Sequence, residues 1–133
     1  YGDHRVLPSF PTRRSSDLLL DRGAKVSFGT DWTVAPINPL WGIYAAVTRR
    51  TLDGKNPNGW IPEEKITVQQ AIRCYTINSA YAGYEEKSKG CLKPGYLADL
   101  VVLSDDILAI DPVKIWDVAI EMTMVGGKIV FKK

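Results

Sequence analysis

Lys25 to Thr30 reads KVSFGT, and the two residues that follow, Asp31 and Trp32, complete the stretch on which the fold turns. Val26 and Phe28 alternate with more polar neighbours, the period-two pattern of a short strand with one apolar face. Before it, Leu18 to Gly23 (LLLDRG) reads as the end of a helix stopped by Gly23, since glycine takes the left-handed conformation a helix end needs. Asp31 therefore stands where a strand ends and a loop begins. Carboxylates gather at that place in α/β barrels, whose active sites lie at the C-terminal ends of the strands. Aspartate also serves turns readily, so the residue pattern alone leaves Asp31 as either a catalytic group or a turn residue.

Downstream, Asn38-Pro39 predicts a helix start, with Asn as cap and Pro at the first helical position. Leu40, Ile43 and Val47 mark one face of that helix through to Arg49 and Arg50. Asp53 to Pro62 (DGKNPNGWIP) is too rich in Gly, Asn and Pro for regular structure. A second helix opens with the capping box Thr67 to Gln70 and carries the stripe Val68, Ala71, Ile72 and Tyr75. The period then changes. Leu100 to Leu103 (LVVL) reads as an apolar strand, and Val118 to Val125 alternates with Val118, Ile120, Met122 and Met124 on one face. Gly126-Gly127 before Lys128 to Phe131 is a hairpin signal, because both turn positions need positive φ. Two such strands are marginal alone and need LVVL or another sheet beside them.

Composition narrows the classes. With 45% hydrophobic and 24% charged residues the 133-residue chain reads as globular. Seventeen basic against fifteen acidic residues, scattered along the chain, leave a net charge of +2 and no footprint for nucleic acid. No apolar run reaches the length of a membrane span and no secretion signal is legible, so a cytoplasmic protein is the expectation. Cys74 and Cys91 fit no metal spacing and read as idle thiols. Residues 1–18 differ from the rest: Ser9 to Leu18 (SFPTRRSSDL) resembles the conceptual translation of a sequencing adapter, and the only histidine, His4, lies upstream of it. That segment is expected to be non-native or disordered.

By residue type the chain is poor in catalytic equipment, and a resemblance carries the functional reading. Gly29 to Trp32 (GTDW), Asn38 to Arg50 (NPLWGIYAAVTRR), Thr67 to Ala82, Gly95 to Leu103 (GYLADLVVL) and Val125 to Val130 (VGGKIV) together resemble the closing third of the amidohydrolase 3 family. Its members include hydrolases like N-substituted formamide deformylase. The resemblance implies an α/β fold: the C-terminal part of a (β/α)8 TIM barrel with a metal site, joined to a small β-sandwich. It implies the last strand and outer helices of the barrel over residues 19–90, and the sandwich over 91–133. Asp31 matches the aspartate that ends the last barrel strand and binds the metal or accepts a proton from its water. Where the family commonly has proline after GTDW, this chain has Thr33. The histidine ligands of the earlier strands are absent, so a histidine-built site cannot be completed from this chain.

The resulting expectation is a metal-dependent amidohydrolase acting on carbon–nitrogen bonds other than peptide bonds, with amide or formamide substrates. Its cofactor would be a divalent metal, zinc by preference, held in the full-length parent. Asp31 is the catalytic residue and metal ligand. Trp32 is a candidate for substrate binding, and for it and Trp41 packing is an equal alternative. Arg49 and Arg50 could meet an anionic substrate, but at a helix C-terminus a solvated face is preferred. Asp99 is read as structural, tying the sheet through backbone hydrogen bonds. The expected partner is a small-molecule amide, with no nucleic acid or membrane, and a homo-oligomer is compatible. Alone, the chain is expected to be inactive and to bind no metal. Two rivals stay open: a free-standing, non-enzymatic β-rich module, and a cyclic amidase or deaminase of the same superfamily.

Overall fold

The computed structural model describes residues 19–133, so His4 and the adapter-like string lie outside the described residues. Among the described residues, after a helical end at 19–21, the elements are α1 (Pro39–Thr48), α2 (Val68–Tyr75), α3 (Ile77–Ala82), then a sheet of β1 (Leu100–Leu103), β2 (Ile120–Val125) and β3 (Lys128–Lys132). Short 3-10 turns at Pro62–Glu64 and Pro112–Asp117 link them.

The local signals act as the sequence predicts. Residues 19–21 are helical, and Gly23 at φ 79° closes that end while its N–H reaches Leu20 O at 2.9 Å and Ala24 N–H reaches Leu19 O at 2.9 Å. That pair of bonds is a Schellman closure. Asn38 Oδ1 accepts from Leu40 N–H at 3.0 Å to start α1, and Arg49 ends it in the left-handed region at φ 57°. Both halves of the capping box form at α2: Thr67 Oγ1 accepts from Gln70 N–H at 3.2 Å, and Gln70 Oε1 accepts from Thr67 N–H at 2.8 Å. Thr76 breaks the run between α2 and α3, its hydroxyl donating back to Ile72 O at 2.7 Å, a bond that competes with the helix ladder.

The core gathers Leu40, Ile43, Tyr44 and Val47 of α1, Ile66, Ala71 of α2, Ile107, Ile115 and Val118. Burying one Leu or Ile side chain is worth about 1.5–3 kcal/mol, so α1 is held by this face rather than by its length. Val68, Ile72 and Tyr75 complete the expected α2 stripe as half-buried neighbours of the core.

The sheet runs in the order β1-β2-β3, antiparallel throughout, so LVVL does lie beside the hairpin. Gly126 and Gly127 stand at φ 56° and 79°, the double positive φ that a two-residue turn requires. Asp99 Oδ1 accepts from Gly126 N–H at 2.6 Å and Ala98 O accepts from Gly127 N–H at 3.1 Å, which ties the turn to the chain just before β1. That is the structural part expected of Asp99.

Three readings change. Lys25 to Thr30 forms no strand. A strand needs a ladder partner, and here the main chain meets the helices instead: Phe28 N–H donates to Cys74 O at 3.0 Å, and Asn78 Nδ2 donates to Val26 O at 2.9 Å. The second sheet strand begins at Ile120, because Val118 closes the Pro112–Asp117 turn and is buried there. Asp111 caps that turn by accepting from Val113 N–H at 3.0 Å, so Asp111-Pro112 repeats the start signal of Asn38-Pro39. Finally, β2 shows no alternation of burial, its first five residues all being half-buried; its pairing with β1 carries an irregularity at Glu121 and that with β3 one at Val130, extra residues that interrupt the regular ladder.

Candidate functional site

Asp31 follows directly on the segment held by Phe28 and is exposed, in the left-handed region at φ 52°. Aspartate is among the few side chains that tolerate this region. The turn it begins is closed by its carbonyl, which accepts from Val34 N–H at 2.7 Å and Ala35 N–H at 3.2 Å. Among the described residues the carboxylate has no partner, whereas a turn-capping aspartate would spend its side chain on those donors. The next residues are open too: Trp32 is 63%, Val34 85% and Ile37 63% exposed.

Beside this segment a cavity of about 410 Å³ runs from Gly29 and Thr30 past Trp41 and Tyr75 to Arg50. A neighbouring hollow of about 250 Å³ shares Gly29, Gly42 and Tyr75 and reaches Arg49 and Glu64. A Cβ at Gly42 would collide with the Tyr75 hydroxyl, so any larger residue there would have to displace the Tyr75 ring. Burial pushes the Tyr75 phenol up from its ordinary pKa, so it stays a protonated donor. Trp41 Nε1 donates to Trp116 O at 3.1 Å, which makes its indole a packing group of α1 against the Pro112–Asp117 turn as well as a cavity wall.

Arg49 corrects the solvated-face reading. Its Nη2 lies 3.1 Å from Glu64 Oε2, its Nε donates to Trp60 O at 3.0 Å, and its guanidinium stacks 5.0 Å from the Trp60 ring. Glu64 is 3% exposed and its Oε1 has no partner among the described residues. The sequence reading missed Glu64; an acidic pair after Ile61-Pro62 gave no sign that one member turns inward. Arg50 is half-buried, and its guanidinium meets no carboxylate among the described residues. Cys74 is buried and its thiol pKa is raised by desolvation, which makes it unreactive.

Among the described residues no group of three His, Cys, Asp or Glu side chains is placed to hold a metal ion. Asp31 could give one ligand at most.

The amidohydrolase family pattern matches residues 1–131. The chain belongs to the amidohydrolase family. It is 38% identical over 115 residues to the Bacillus subtilis protein YtcJ, classed as an amidohydrolase, covering 86% of this chain and 22% of that protein. It is similar to Protein LONG AFTER FAR-RED 3 of Arabidopsis thaliana, at 38% over 117 residues, 83% of this chain and 18% of the relative. N-substituted formamide deformylase of Arthrobacter pascens is 34% identical over 100 residues, 75% of this chain and 17% of the enzyme. This amidohydrolase chain thus spans about a fifth of the length of those relatives. A solved amidohydrolase from Thermotoga maritima shares its fold, with a TM-score of 0.67 at 20% identity over 92% of this chain and 27% of that one.

Proposed function

We propose that this chain is the C-terminal part of a metal-dependent hydrolase of carbon–nitrogen bonds other than peptide bonds, acting on amides or formamides, with Asp31 as its proton-transfer residue. In this reading residues 19–90 supply the last strand and outer helices of a (β/α)8 barrel, and residues 91–133 part of a β-sandwich. The observation that carries it is the exposed carboxylate of Asp31 at the end of the Lys25–Thr30 segment, without a partner among the described residues, in a chain of the amidohydrolase family. The likeness to N-substituted formamide deformylase supports the choice of substrate class.

Members of this family are generally metal-dependent, and a bound divalent metal would supply Lewis acidity and a more acidic water. A lone carboxylate among the described residues does not by itself make a site for such an ion; Asp31 would hold one position of it and carry the proton transfer. Asp31 takes a proton from the attacking water, and as the C–N bond breaks it returns that proton to the departing nitrogen. Its exposed carboxylate needs no internal bond broken to do so. A (β/α)8 barrel takes about 250 residues, and the chain by itself is expected to be inactive.

The test is Asp31→Asn in the longer protein that carries this chain. Asn keeps the shape and removes the basicity, so kcat should fall by about 10²- to 10⁴-fold with the unfolding midpoint unchanged. Turnover retained within about tenfold, a barrier change of only about 1.4 kcal/mol, would return Asp31 to the rank of a turn residue.

A further inference from the structure

The cavity next to Asp31 has a one-sided chemistry. Its walls are largely apolar, with Ala35, Pro36, Trp41 and Leu52 among them, and among the described residues no aspartate or glutamate lines it. Its polar side chains are Thr30, Asn38, Tyr44, Arg50, Thr51 and Tyr75; the two Thr hydroxyls can donate or accept, and the others chiefly offer donors. Asn38 has spent its carbonyl oxygen on Leu40 N–H, which leaves the amide N–H₂. Tyr44 is already committed, donating its hydroxyl to Thr51 O at 3.4 Å. Tyr75 keeps a protonated hydroxyl, laid across α1 because Gly42 has no side chain. Arg50 has its main chain fixed, its N–H donating to Thr48 Oγ1 at 3.1 Å, while its guanidinium pairs with no described carboxylate. A half-buried arginine that lines an apolar hollow and has no carboxylate partner among the described residues favours a planar anion that can take two N–H bonds at once.

We infer that the cavity from Thr30 to Arg50 binds the uncleaved part of the substrate, and that this part is an apolar group ending in a carboxylate. Its place in the reaction rests on the Asp31 reading above, since Thr30 is both a cavity wall and the residue before Asp31. The recognition itself rests on the cavity alone. A volume of about 410 Å³ lies within the range of small-molecule sites, and an aromatic ring with a short acid arm fits that size.

The probes are phenylacetate and its neutral isostere phenylacetamide, titrated by calorimetry into the 133-residue chain while the Trp41 indole resonance is followed. Phenylacetate should bind saturably and move that resonance, with phenylacetamide at least about tenfold weaker. Arg50→Gln should bring phenylacetate down to the amide's affinity, whereas Arg50→Lys should retain part of the preference. Circular dichroism of both variants confirms that the fold persists. Equal binding of the two probes, or an unchanged preference in Arg50→Gln, overturns the anion assignment. No saturable binding of either probe up to about 10 mM, a free energy of under about 3 kcal/mol, overturns the cavity as a site. Asp31→Asn should leave phenylacetate binding unchanged, so a failure of the proton-transfer role and a failure of this inference show up in separate measurements.

Discussion

Two aspartates, Asp31 and Asp99, each stand at the edge of a glycine-containing segment, and the chain treats them in opposite ways. Asp99 accepts from Gly126 N–H at 2.6 Å, and the three strands around it answer one another's main-chain groups. Asp31 offers its carbonyl to the turn while its carboxylate has no partner among the described residues, and the segment before it leans on α2 and α3. The difference teaches where spare chemistry lies in this chain. A carboxylate consumed by local structure contributes to stability, and one left over is available to something else.

The sharpest way to break that contrast is to treat both residues alike. Asp31→Asn is expected to cost turnover, as above, and almost no stability. If instead it lowers the denaturation midpoint as Asp99 variants do, the contrast is void. Next in size is the support of the Asp31 side. Arg49→Ala strands Glu64 with neither carboxylate oxygen answered, and losing one partner of a buried pair costs about 3–5 kcal/mol. Chemical denaturation measures it, and a loss below about 1 kcal/mol would mean that the Glu64 carboxylate finds water instead. Asp99→Ala should then remove about 0.5–1.5 kcal/mol, the net worth of one hydrogen bond at an exposed turn. Amide exchange should locate the loss at Gly126, with the helices unaffected.

The smallest effect is electrostatic and lies in the 51–62 loop. Asp53 is held below its ordinary pKa of 3.8, first by the Thr51 hydroxyl and then by Lys55. A depressed carboxylate contributes stability that is present above its unfolded pKa and is lost as pH falls through the folded one. Thr51→Val should therefore raise the Asp53 pKa back toward 3.8, read by NMR titration of its carboxyl carbon. No movement would assign the depression to Lys55.

Much of this was legible from residue order. The Asn38-Pro39 start, the Thr67-Gln70 box, the Gly23 stop and the Gly126-Gly127 turn each depend on groups within a few positions of one another, so local chemistry settles them. Asp31 was singled out by its place after Thr30, and Asp99 by its bonding capacity. Asp111-Pro112 carries the same start signal, but the alternating pattern that begins at Val118 masks the buried Ile115 turn.

What sequence could not supply was anything that depends on a distant partner. The alternation of KVSFGT names a strand, but whether one forms depends on a neighbouring ladder, and here the answering groups are Cys74 O and the Asn78 amide, about fifty positions away. Arg49 and Glu64 are fifteen residues apart across an irregular loop, and only folding shows that one is buried and the other turns to meet it. The contact of Gly42 with Tyr75 and the half-burial of Arg50 belong to the same class. Caps and turns are short-range hydrogen bonds that the order of residues fixes by itself; burial, pairing and the spare valence of a side chain are set by what the tertiary fold brings alongside.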